Sequence, residues 1–232
     1  MSEKSSPFSE SYYEGNGQGG DRPALRLFTR LARRYIPGTR LLDFGCGPGF
    51  FLRHLAKHFE AHGLEISPWA RQHAHEVTGL PIHASFDELP DNSLDGIVSL
   101  HVIEHIPDEG LDQVVKEWRR ILVPGARLLL VTPDAGGNAA REKGKDWIAL
   151  TDPTHINLKT HAQWREFFES RGFVCLEEFA DGLWDFPYRY RWLGRAEVFL
   201  RGWPTLLQFV LARPLVASGK GESAIYVLEK RE

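Results

Sequence analysis

The chain reads as a doubly wound α/β domain on a mostly parallel sheet, and three observations predict it. An apolar strand end, Leu41-Leu42-Asp43-Phe44, runs into glycines at alternate positions, Gly45, Gly47 and Gly49, and then into an amphipathic stretch through Leu52, Leu55 and Ala56. Beyond it, short apolar runs with strand character alternate with segments of helical period. Repeated units of that length imply parallel strands with helices on both faces of the sheet. Finally, Leu111, Val114, Val115, Trp118, Ile121 and Leu122 share one helical face, and Pro124-Gly125 follows as a stop signal.

In chain order, residues 1–21 are polar and glycine-rich, with Tyr12 and Tyr13 the conspicuous side chains, and predict a mobile arm. Leu25, Phe28, Leu31, Ala32 and Tyr35 then recur at helical spacing, with Asp21 as N-cap and Pro23 in the first turn. Residues 1–38 are thus an arm and lid helix, and 39–232 the main domain. Strands are expected at 40–44, 60–65, 80–84, 94–100 and 126–132, with helices at 49–58, 68–78 and 109–122. A helix over 161–171 ends at Gly172, a strand follows from Phe173 to Phe179, and a last strand spans Ser223 to Leu228.

Between those last strands lies a helical aromatic insertion, 183–221, expected to cap the substrate side. Residues 183–217 hold eight aromatics, including Trp184, Tyr188, Trp192, Phe199 and Trp203, and five arginines against Asp185 and Glu197. This stretch carries +3 while the remainder carries −6, so a basic aromatic region is grafted on an acidic body. It suits an inward-packed helical cap, a lid over a lipophilic substrate, or peripheral contact with an anionic membrane through 183–217. Stacking on single-stranded nucleic acid is a minor alternative, set against the acidic body.

At 232 residues, with a net charge of −3 and 25% charged residues, nothing global points to nucleic acid. Cys46 and Cys175 make a poor disulfide framework, which suggests a reducing compartment. The start of the chain has no basic-then-apolar leader, and no run of about 18 apolar residues occurs, so a cytoplasmic protein is expected.

Spacing separates the ligands the glycine loop could hold. A dinucleotide fingerprint needs G-x-G-x-x-G, but the third glycine would fall at position 50, which is Phe50. The observed D-x-G-x-G-x-G resembles motif I of the class I S-adenosylmethionine (SAM) dependent methyltransferases. Glu65 stands about 20 residues on, at the end of the second strand, where a carboxylate can accept hydrogen bonds from both hydroxyls of a ribose. The segments Ser99–Pro107, Arg120–Ala126 and Asp152–Asn157 resemble stretches of the ubiquinone-type and related small-molecule methyltransferases, so the likeness covers roughly residues 40–180.

That resemblance implies a Rossmann-like, seven-stranded sheet in the order 3-2-1-4-5-7-6 with an antiparallel seventh strand, and SAM as cofactor. It places Gly45 and Gly47 against the aminoacyl and sulfonium end, within a loop that also holds Cys46 and Gly49, with Asp43 as the loop anchor. Ile66 would pack on the adenine. Ser85 stands where relatives carry an acidic residue on the adenine amino group, with Phe86 beside it and Asp87 as the alternative if the register shifts by two. Leu100 and His101 complete the expected cofactor set.

Methyl transfer to a hydroxyl requires removal of a proton, and histidine titrates near operating pH. His101, at the end of the fourth strand, is the first candidate base, followed by His105 and His155; packing of His101 against the cofactor is the competing reading. His101 to His105 also spell H-x-x-E-H, an inverted zincin motif, but that motif needs both imidazoles on a helix. Some ubiquinone-type relatives carry a divalent ion at an acidic-x-x-Glu-His stretch, where this chain has His101, so no metal is assigned. His54 and His58 read as a solvated helix face. The function expected is methyl transfer from SAM to a small molecule, with a hydroxyl oxygen of an aromatic or lipophilic acceptor as first choice. N- or C-methylation, an inactive SAM-binding protein and a dinucleotide oxidoreductase are the alternatives.

Overall fold

The computed structural model describes residues 7–231. Its elements are α1 (Glu10–Gly15), α2 (Pro23–Tyr35), β1 (Arg40–Phe44), α3 (Phe50–Leu55), β2 (Glu60–Leu64), α4 (Pro68–Thr78), β3 (Ile82–His83), β4 (Leu94–Leu100), α5 (Asp108–Ile121), β5 (Leu122–Pro133), α6 (Asn138–Lys143), α7 (Ile148–Thr151), α8 (His161–Glu169), β6 (Phe173–Ala180), α9 (Val198–Arg201), α10 (Trp203–Leu211) and β7 (Ser223–Lys230). The strands form one sheet in the order β3-β2-β1-β4-β5-β7-β6. β7 runs antiparallel to both β5 and β6, and the other pairings are parallel. The expected topology is therefore the observed one.

Strand period explains how the sheet is covered. Along β5, Leu128 and Leu130 enter one core with Trp118 of α5 and Phe168 of α8. Leu129 and Val131 point the other way, into a second core with Leu31 of α2 and Leu55 of α3. Burial on both faces is why the central strands are nearly continuous apolar runs.

Several boundaries and one whole element depart from expectation. The arm is not mobile over its described part: Ser9 caps α1, and Tyr13 is buried; residues 1–6 lie outside the described residues. Asp21 does not cap α2. It pairs instead with Arg53 of α3 and shares a 2.8 Å hydrogen bond with His54 Nε2, so His54 is held against Asp21 rather than solvated. Pro124-Gly125 does not stop α5. Leu122 already turns extended, and β5 begins there with a register shift against β4 between Leu94 and Gly96. The expected helix over 49–58 is confined to Phe50–Leu55, and the strand over 80–84 to Ile82–His83. Lengths fail first where a short element takes its order from neighbours rather than from its own pattern.

The insertion is helical, as expected, but its aromatics divide. Phe186 and Tyr188 are buried with Trp147, whereas Trp192, Phe199 and Trp203 face outward.

Candidate active site

A cleft enclosing about 170 Å³ opens at the carboxyl ends of β1 and β4, where ligands bind in open α/β sheets. Gly45, Cys46, Gly47 and Pro48 of the glycine loop form its floor, and Gly49 lies off the lining. Gly49, at φ +85°, starts α3 in the left-handed region, and a Cβ there would lie 2.7 Å from Ala74 Cα, so only glycine lets α3 and α4 cross this closely. Gly47, at φ +51°, lies under the Tyr13 ring, which an added Cβ would meet at 3.1 Å. Asp43, Cys46, Gly45, Ile66, Leu100 and His101 also line the cleft.

Two buried carboxyls face this floor. Glu65 Oε2 accepts from Gly47 N–H at 3.0 Å and Oε1 from Ser67 N–H at 2.8 Å, so the side chain ties the loop to the start of α4. Burial pushes the Glu65 carboxyl up, and the backbone donors counter only part of this. Asp43 is fully desolvated, its Oδ2 has no partner, and burial and then Glu65 raise its pKa well above the carboxylate range. Burial likewise raises the Cys46 thiol, which leaves it inert.

At the far wall three histidines surround Glu104. His101 sits at φ +56°, which turns its ring into the cleft from the end of β4. Its Nδ1 lies 3.3 Å from Glu104 Oε1, while Glu104 Oε2 accepts from the Thr132 hydroxyl at 3.0 Å. Burial drives the Glu104 carboxyl up, yet the adjacent His101 and His105 outweigh it and hold the pKa below its ordinary value. A charged carboxylate is therefore kept in the dry interior beside an imidazole.

His105 is ordered from behind. The Thr154 hydroxyl donates to Asp152 Oδ1 at 2.6 Å and so accepts from His105 Nδ1–H at 2.9 Å. Burial pushes the His105 pKa down, so it stands neutral with its proton on Nδ1. His155 donates from Nδ1 to the Ala149 carbonyl at 2.7 Å, and its ring centroid is 4.7 Å from that of His105. Among the described residues, Glu104, His105 and His155 each offer a ligand atom, all within 4.8 Å of one another. The zincin reading fails on geometry: Ile103–His105 is one tight turn and His101 precedes it, so the two imidazoles share no helix face.

The arm closes the cleft. Tyr13 stacks on Trp69 with centroids 5.7 Å apart, the Tyr12 hydroxyl donates to Asp152 Oδ2 at 3.0 Å, and Ser67 donates to the Phe8 carbonyl at 2.6 Å. Burial and then Glu65 push the Tyr13 phenol up, while burial raises Tyr12 to about 12.

Residues 18–178 match a family model described as a methyltransferase domain. The chain belongs to that methyltransferase domain family. It is 36% identical over 145 residues to a 2-methyl-6-phytyl-1,4-hydroquinone methyltransferase of Synechocystis, covering 51% of this chain and 45% of the relative. It is also 28% identical to phosphoethanolamine N-methyltransferase 2 of Caenorhabditis elegans, covering 68% of this chain and 38% of the relative. The chain thus spans less than half the length of these curated relatives. A SAM-dependent methyltransferase structure from Archaeoglobus fulgidus shares the fold at TM-score 0.62 and 18% identity, over 94% of this chain and 98% of that one.

For this methyltransferase domain the predicted residues divide. The structure gathers Asp43, Gly45, Cys46, Gly47, Glu65, Ile66, Leu100, His101 and His105 around one cleft. His155 stands behind His105 rather than on the lining. Ser85 and Phe86 do not reach the cleft: Ser85 and Glu88 cap a single turn reciprocally, and Phe86 stacks on Phe44 at 5.6 Å. Asp87 is exposed on that turn. Among the described residues, none of 183–221 lines the cleft. Sequence reasoning missed Phe8, Tyr12 and Tyr13, although the paired tyrosines in a polar arm were the signal that could have found them.

The floor fits SAM on two observations of this chain. Asp43 presents a buried, unpartnered oxygen to a cationic ligand, and a buried Glu65 faces a loop whose glycines leave bare backbone.

Proposed function

We propose that this chain transfers a methyl group from SAM to a hydroxyl oxygen of an aromatic or lipophilic small molecule. SAM supplies a methyl already activated on a sulfonium, so the protein's part is to bind, align, exclude water and take a proton. Glu65 would hold the ribose of the nucleoside end, and the glycine loop with Asp43 the cationic aminoacyl and sulfonium end. Phe8, Tyr12 and Tyr13 close the arm over the cleft and keep water out.

The observation that carries the reading is the Glu104–His101 pair, 3.3 Å apart at the cleft wall. Glu104 Oε1 is buried without a hydrogen-bond partner, and its charge 3.3 Å from Nδ1 favours a proton on that nitrogen and leaves Nε2 as the base. His101 thus receives the acceptor's proton, Glu104 positions it, and His105 shapes the pocket with its proton fixed on Nδ1. Among the relatives is a probable tocopherol O-methyltransferase of Oryza sativa, 33% identical over 104 residues, which agrees with an oxygen acceptor.

The test is turnover at saturating SAM with a hydroquinone, a catechol and an alkylamine. Methylation of the phenolic acceptors is expected, with His101→Gln binding SAM normally but turning over about 100-fold more slowly. If His101→Ala keeps near wild-type turnover, or the amine alone is methylated, the assignment fails.

A further inference from the structure

Helix α10 is turned inside out. Its apolar stripe, Trp203, Leu206, Leu207, Val210 and Leu211, faces solvent, and its inward residues are Thr205 and Gln208. Polar anchoring sets this orientation. Gln208 Nε2 donates to the Ala180 carbonyl at 2.8 Å, and its Oε1 accepts from Leu215 and Val216 N–H at 2.8 and 3.0 Å. Thr205 Oγ1 accepts from Leu183 N–H at 2.9 Å, packed so close to Gly182 that a Cβ there would lie 2.2 Å away. The helix is fixed with its greasy side out. The exposure is local: of 17 large apolar side chains exposed among the described residues, 12 lie within 184–215, and Trp192 and Phe199 are 82% and 83% exposed. Contiguous patches of this kind mark interaction surfaces.

We propose that α9 and α10 dock this chain on the surface of an anionic lipid bilayer. Charge selects that occupant. The two acids of the region are spent internally: Asp185 pairs with Lys143, and Glu197 is fully buried, accepting from Tyr188 N–H at 2.7 Å and Arg201 at 2.9 Å. Arg189, Arg195 and Arg213 of the same segment are exposed. Arg30 of α2 donates to the Phe209 and Val210 carbonyls at the end of α10, and Arg26 and Arg33, one turn to either side, are exposed on the same helix. An apolar stripe rimmed by arginine and indole is the composition of a helix lying in the headgroup region. Among the described residues no helix is long and apolar enough to cross a membrane, so the contact is peripheral. The insertion leaves the sheet at Ala180, on the same edge as the cleft, and α2 joins the two surfaces: Arg22 and Leu25 line the cleft while Arg30 clamps α10.

The inference stands apart from the methyl-transfer reading, because vesicle flotation needs no cofactor. The protein is floated with vesicles of phosphatidylcholine alone and of phosphatidylcholine mixed with phosphatidylglycerol, at low and high ionic strength, beside the double variant Leu206→Asp/Val210→Asp. Wild type is expected to float with the anionic vesicles, less with the neutral ones, and less as salt rises. The double variant, changed only at exposed positions, should melt as wild type does and bind about tenfold more weakly or less. Wild type left behind by anionic vesicles at low salt overturns the proposal, as does flotation of the folded double variant to the same extent. A dimer in sedimentation velocity that the double variant dissolves, without vesicle binding, assigns the face to a second copy and overturns it too.

Discussion

Glu65 carries two jobs in one carboxylate, tying Gly47 to Ser67 and facing the cleft. Glu65→Gln loses the charge and can satisfy only one of the two backbone donors as an acceptor, so SAM affinity should fall at least about tenfold, roughly 1.4 kcal/mol, by titration calorimetry. Gly49→Ala sets a methyl against Ala74 at a positive φ, and chemical denaturation should show a loss of roughly 1–3 kcal/mol. These residues were legible in the sequence because spacing alone distinguished D-x-G-x-G-x-G from a dinucleotide loop and put an acid at the end of the next strand. Ser85 stands off the cleft lining in a local cap. Its side chain and that of Glu88 satisfy each other's backbone donors in a local cap, and nothing in a linear pattern tells such a cap from a ligand contact.

At the scale of elements, the strands and main helices followed from period, since each buries a face against the sheet. The arm did not, because α1 is too short to show a period and is held by contacts distant in sequence, such as Tyr12 to Asp152. Truncation of residues 1–20 should therefore leave the fold intact and weaken SAM binding by opening the cleft, read as unchanged melting cooperativity with a raised dissociation constant. The facing of α10 was open for a different reason: a helical pattern says which residues share a face but not which face turns inward. Gln208 decides it here, by bonding to Ala180, Leu215 and Val216. Gln208→Ala strands those buried groups and should cost about 2 kcal/mol or more in denaturant unfolding.

Across the whole molecule, the buried Asp181 and the partly exposed Asp95 lend stability opposite pH dependences. Asp181 is pushed up to about 7, first by burial and then by Glu222, although Glu222 and Ser223 N–H bond to its Oδ1. The folded state therefore holds this proton more tightly than the unfolded chain, whose aspartate titrates near 4. Its contribution is present below about pH 4 and is lost as pH rises through about 7. Asp95, lowered to about 2 chiefly by Arg40, works the other way and is lost only in strong acid. Asp181→Asn keeps the acceptor oxygen, so it should melt higher than wild type at pH 8, with the gap closing toward pH 4. The sheet order was legible only through resemblance, because alternation of strand and helix predicts parallel pairing but not where β7 inserts. The ligand of the cleft decides between these chemistries, and calorimetric titration of the purified protein with SAM, S-adenosylhomocysteine and NADH, repeated on Glu65→Ala, identifies it most directly. Binding of both SAM ligands, lost in the variant and absent for NADH, is the result predicted; binding of NADH without either SAM ligand would contradict it.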